Sequence, residues 1–153
     1  MKHLLIVYHL PTGKMQAMAE AVLRGAHHED IEGVEVRAGL ALESGPEELS
    51  WADALLLGTP ENFGYMSGGM KDFLDRTFYP CEGKLEGMPY AMFISAGNDG
   101  SGALNAIRRI ATGFGFREVR EPVLVVGELT AAHLEACAAL GTAMAAGLEL
   151  GVY

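Results

Sequence analysis

The sequence predicts an α/β fold: an open, parallel five-stranded sheet with helices on both faces. Three observations carry that prediction. Apolar runs alternate with segments of helical spacing along the whole chain. The runs over 3–8 and 54–57 are apolar almost without a break, as strands buried on both faces are. No internal repeat, linker or low-complexity stretch divides the 153 residues, so one domain over 1–153 is expected. Half of the residues are hydrophobic, enough for one continuous core.

The first strand covers 3–8. The helix over 15–26 follows, with Met15, Met18, Ala19, Val22, Leu23 and Ala26 at i, i+3, i+4 spacing. A second strand over 34–38 alternates with Glu35 and Arg37. A short helix over 46–51 precedes the third strand over 54–57. The third helix runs over 67–77, with Met66, Met70, Phe73, Leu74 and Thr77 on one face and Ser67 as its cap. The fourth strand covers 90–95. The fourth helix covers 103–114, with Leu104, Ile107, Ile110, Ala111 and Phe114 inward. The fifth strand has its core over 122–126, and the last helix spans 130–148. Strands separated by helices form βαβ units, which need right-handed crossovers and a mainly parallel sheet.

Eleven basic residues against twenty acidic ones give a net charge of −9. That excludes a broad nucleic-acid footprint, which needs clustered Lys and Arg. It suits docking on basic partners. Cys81 and Cys137 stand far apart, with no Cys or His at ligand spacing, so neither a zinc site nor a disulfide framework is expected. Two ordinary thiols suit a reducing cytosol. The N-terminal apolar run is broken by His9, Pro11 and Gly13, too soon for a signal peptide or a membrane span. A cytoplasmic protein with no membrane partner is the expectation.

In a parallel sheet the loops after the first, third and fourth strands leave at one edge, where open α/β sheets hold ligands. The first, over 9–15, enters a helix whose free N–H groups make an anion site. Thr12 offers a hydroxyl, Gly13 close backbone approach and Lys14 a charge, although the spacing is not that of a Walker A motif. The second loop carries Pro60, Phe63, Gly64 and Tyr65, suited to a flat ring with polar edges. The third, over 95–102, is rich in Gly and polar residues. A ligand with a phosphate at one end and a flat ring at the other fits that layout.

These residues resemble the flavodoxin-like superfamily, most of all its NAD(P)H-dependent FMN reductase and quinone reductase branch. The matching motif is Gly58-Thr-Pro through Phe63-Gly64-x-Met66-Ser67 to Met70-Lys71-x-Phe73-Leu74-Asp75-Arg76. It is flanked by Ala52-Asp53-Ala54 and by Gly83-Lys84-Leu85-x-Gly87-x-Pro89. The resemblance implies a flavodoxin-like three-layer sandwich with strand order 2-1-3-4-5. It also implies FMN, bound without a covalent link between the first and third strands. His9, Pro11, Thr12, Gly13, Lys14 and Met15 would wrap the phosphate. Pro60, Glu61, Asn62, Phe63, Gly64, Tyr65 and Met66 would lie along the ring. Ser95, Gly97, Asn98 and Gly100 would close the other side.

The implied activity moves electrons from NAD(P)H to a flavin, a quinone or a similar small-molecule or protein acceptor. No catalytic side chain is required, because the cofactor carries the chemistry. Amides near Gly64 would meet the flavin N5 and O4 edge, and Glu61 and Asp99 would lower its potential. An electron carrier without a substrate site, and a cofactor-free domain of the same fold, fit the same motifs. Related reductases often complete the site across two subunits, which makes a homodimer compatible with the resemblance. Two positions depart from the pattern. His9 stands where related loops begin with Ser or Thr, and Met15 where they often end in one. His9 and Lys14 are the replacement donors.

Other residues have structural readings. Trp51 packs a helix on the core, and Met66 and Met70 fill it. His27 and His28 face solvent at a helix end. Lys71, Asp72, Asp75 and Arg76 form a solvated helix face. His133 sits in the first turn of the last helix with no partner spaced for a metal.

Overall fold

The computed structural model describes residues 1–10 and 12–153; Pro11 lies outside the described residues. The first strand, β1 (Lys2–Tyr8), leads into α1 (Gly13–Ala26). Then come β2 (Val34–Leu40), a single 3-10 turn (Ala41–Glu43) and α2 (Pro46–Trp51). The middle of the chain holds β3 (Ala54–Asn62), the two-residue β4 (Tyr65–Met66), α3 (Gly68–Cys81) and β5 (Pro89–Ala96). The last part holds α4 (Ser101–Phe114), β6 (Arg117–Glu118), β7 (Val123–Val126) and α5 (Ala131–Glu149).

The sheet order is β2-β1-β3-β5, with β6 and β7 both pairing parallel to β5 at the far edge. With β6 and β7 sharing the outermost position, this is the expected 2-1-3-4-5 order of a flavodoxin-like sandwich. Alternate residues of each central strand enter opposite cores. Leu5, Val7, Leu55, Leu57, Met92 and Ile94 join the layer of α2, α3 and α4. Leu4, Ile6, Ala54, Leu56, Ala91 and Phe93 join the layer of α1 and α5. α5 is long and apolar enough to cross a membrane, but its Cys137, Leu140, Met144 and Leu148 are packed in that second core.

Two strand boundaries differ from the sequence reading, for physical reasons. β3 does not stop at Leu57. It runs on to Asn62, pairing Thr59 with Ile94 and Pro60 with Ser95. Gly58 and Pro60 look like breakers in sequence, but β1 pairs no further than Tyr8 with Gly58. Among the described residues no neighbour on that side requires the N–H that proline lacks. The fifth strand is in two pieces. The Val119 amide still donates to the Tyr90 carbonyl; residues 120–122 leave the sheet, and pairing resumes at Val123, just after Pro122.

Trp51 packs on the core beside α2 as expected, stacked on His3 at 4.4 Å with Arg37 over its ring at 4.1 Å. Arg76 corrects the reading of a wholly solvated helix face. Its guanidinium donates to the carbonyls of Ala41 and Ser44 at 2.8 and 2.9 Å, tying α3 to the β2–α2 connection. Lys71 with Asp75, and Asp72 with Arg76, are the i,i+4 pairs expected on an exposed face.

Candidate functional site

The carboxyl ends of β1, β3 and β5 meet at one edge, and a crevice of about 210 Å³ opens there. Of the residues singled out from the sequence, Thr12, Lys14, Pro60, Glu61, Asn62, Ser95 and Gly97 line it together, with Ala96. The three loops therefore converge as the parallel sheet requires.

Thr12 is the N-cap of α1. Its extended backbone starts the helix, and its hydroxyl accepts from the Met15 amide at 3.5 Å. The amides of Gly13 and Lys14 have no carbonyl four residues earlier in the helix to bond. Met15 brings only its backbone to this edge, because its side chain is fully buried in the core. Lys14 spends its ammonium on the carbonyl of Gly127, in the loop after β7. That loop was not among the three singled out. The Val-Val-Gly sequence ending a parallel strand was the signal that could have found it.

The second loop is a tight β-hairpin rather than an open loop. Glu61 pairs with Met66 and Asn62 with Tyr65, leaving Phe63 and Gly64 at the turn. Both have positive φ, +53° and +71°, as a two-residue turn of the primed type requires. Phe63 is fully exposed and Tyr65 partly so. Met66 points inward and its side chain is buried in the core.

The hairpin is fastened to the first turn of α4 at two points. Glu61 Oε2 accepts from the Ala103 amide at 3.0 Å, capping the first turn of α4. The Gly64 carbonyl lies so close to Gly102 that a Cβ there would come within 1.8 Å of its oxygen. Ahead of α4, Asp99 Oδ1 accepts from the Ser101 amide and hydroxyl at 3.0 and 2.9 Å. Those bonds hold the Asp99 carboxyl below its ordinary pKa. Asn98 is exposed, and Gly100 adopts the left-handed conformation that starts α4.

His9 is placed behind the crevice rather than on its lining. Its Nδ1 lies 2.8 Å from Ser67 Oγ. Ser67 caps α3, accepting from the Met70 amide at 3.3 Å, and its own amide donates to Thr59 Oγ1 at 3.0 Å. Burial lowers the His9 pKa from its ordinary value. Thr59 and Ser67, both fully buried, were not foreseen as a polar network with His9. The signal was there in part, since a capping serine directly after a hairpin must sit at the sheet edge. Among the described residues no cluster of His, Cys, Asp and Glu could hold a metal.

Comparison with known proteins agrees with this geometry. The NADPH-dependent FMN reductase family model matches residues 39–131. A flavodoxin of Aquifex aeolicus is 36% identical, over 76% of this chain and 63% of its own. An NAD(P)H dehydrogenase (quinone) of Acidithiobacillus ferrooxidans is 31% identical, over 67% of this chain and 60% of its own. The chain thus spans about three-fifths of the length of these curated relatives. A solved flavodoxin from the domain Archaea superposes with a TM-score of 0.82 at 24% identity, covering 96% of this chain and 99% of that one. Fold, site edge and family match coincide, and the chain belongs to the NADPH-dependent FMN reductase family, a flavoprotein family of flavodoxin-like fold.

Proposed function

We propose that this chain binds FMN in the crevice at the carboxyl edge of β1, β3 and β5, and passes electrons from NAD(P)H to a flavin, quinone or similar acceptor. The observation that carries the reading is the convergence of an α1 N-terminus, an aromatic hairpin and a glycine-rich loop on one crevice.

The residues present fit FMN. A Cβ added at Gly13 or at Gly97 would meet nothing within 4 Å, so both backbones leave room on the ligand side. The amides of the first turn of α1 suit a phosphate. Phe63 and Tyr65 offer exposed aromatic surface for a flat ring, and Asn62 and Ser95 supply polar edges. FMN, when bound, supplies the hydride and electron transfer itself.

The protein's part is orientation and charge. Glu61 and Asp99 hold carboxylates near the hairpin and at the start of α4. Negative charge there disfavours an added negative charge on a bound ring, so the potential is expected below that of free FMN.

The test is an absorption spectrum of the protein after FMN loading and desalting, followed by steady-state oxidation of NADH and NADPH with a quinone acceptor. A retained flavin band with acceptor-dependent NAD(P)H oxidation supports the oxidoreductase. A retained band without NAD(P)H oxidation supports the carrier reading, which the net charge of −9 and the flavodoxin relative favour. No retained band, and no quenching of FMN fluorescence on titration, rejects both.

A further inference from the structure

We infer that His9 is a positioning residue that ties the first loop to the aromatic hairpin through Ser67, rather than a ligand to the phosphate. The inference rests on the FMN reading above.

Two contacts hold the ring, and two more anchor the residues that bear on it. The His9 amide donates to the Gly58 carbonyl at 3.0 Å, extending β1 one residue past its last pair. Nδ1 is engaged by Ser67 Oγ at 2.8 Å. The opposite edge lies on Gly69. A Cβ at that position would come within 2.3 Å of Cδ2 and 2.5 Å of Nε2. Only glycine leaves space for the imidazole there. Ser67 in turn follows Met66, the last residue of the hairpin, and is locked to Thr59 on β3.

His9 therefore cannot swing toward a phosphate without abandoning Ser67. The lowered pKa agrees, since a neutral ring brings no charge to an anion. The consequence is mechanical. The segment that would hold the phosphate and the hairpin that would hold the ring are joined by one side chain. Losing it loosens the ring end of the site.

The experiment compares FMN with riboflavin, which lacks the phosphate, on the full chain. His9→Ala is expected to weaken both flavins by about five- to tenfold, the worth of one hydrogen bond and its packing. The ratio of the two affinities should stay within about twofold of the unmutated protein. The visible circular dichroism of the bound flavin should change. His9→Asn, whose amide reaches where Nδ1 was, should recover both readouts. Gly69→Ala, which expels the ring without removing it, should reproduce the His9→Ala pattern if His9→Ala itself fails to fold.

Three results would overturn the inference. A loss confined to FMN would make His9 a phosphate ligand. Unchanged affinities and dichroism with only a lowered melting temperature would reduce His9 to packing. Unmutated protein that binds neither flavin would remove the FMN reading, and this inference with it, before any variant is compared.

Discussion

Gly102 decides how the aromatic hairpin sits. Its missing Cβ lets the Gly64 carbonyl approach α4, while Glu61 bonds the amide of the next residue. Gly102→Ala would drive a methyl into a backbone oxygen that belongs to a tight turn and has little freedom to yield. The expected cost is about 1–3 kcal/mol of stability, in the range of other overpacked contacts, with weaker FMN binding alongside. Gly68→Ala is the control, because a Cβ there meets nothing within 4 Å; it should stay within about 0.5 kcal/mol. Urea denaturation of the two variants separates them. Equal stability would mean that the hairpin and α4 move freely past each other.

The connection between β2 and α2 is held from outside. Arg76, on α3, supplies donors to the carbonyls of Ala41 and Ser44, and its Nε donates to Asp72 Oδ2 at 2.6 Å. Without Arg76 those carbonyls turn to water and the connection loses its tether. Arg76→Ala is expected to cost about 1–3 kcal/mol, with faster amide exchange over 41–45. Lys in its place should recover only part of this, because an ammonium lacks the planar fork that reaches two carbonyls at once. An Arg76→Ala variant as stable as the parent, with unchanged exchange, would show that the helix and the connection are held by apolar packing alone.

The two cysteines report on the molecule as a whole, because they lie in opposite cores. Cys81 is buried in the layer of α2, α3 and α4, and Cys137 in that of α1 and α5. Burial pushes the Cys137 thiol up to about 11, which suppresses the reactive thiolate at neutral pH. Neither thiol should react with a water-soluble thiol reagent in native buffer. Both should react together as urea unfolds the domain, at the midpoint seen by circular dichroism. Earlier reaction of Cys137 alone would mean that α5 detaches from the sheet before the rest unfolds.

The sequence by itself determined the α/β class, the parallel sheet and the edge at which the loops gather, while the strand order came from the family resemblance. Class, sheet and edge follow from the apolar runs, the helical spacing and the handedness of parallel crossovers, all local or nearly local properties. Much of the crevice lining was legible too, because strand ends dictate which loops share an edge. Tertiary structure decided what several side chains do there. Met15 and Met66 turn into the cores, Lys14 reaches a loop more than a hundred residues away, and His9 pairs with Ser67. Arg76 leaves the solvated face for two distant carbonyls. Each outcome depends on which neighbour stands within hydrogen-bonding reach or leaves room for a ring. Spacing along the chain carries no record of that, since the partners come together only when the sheet is assembled.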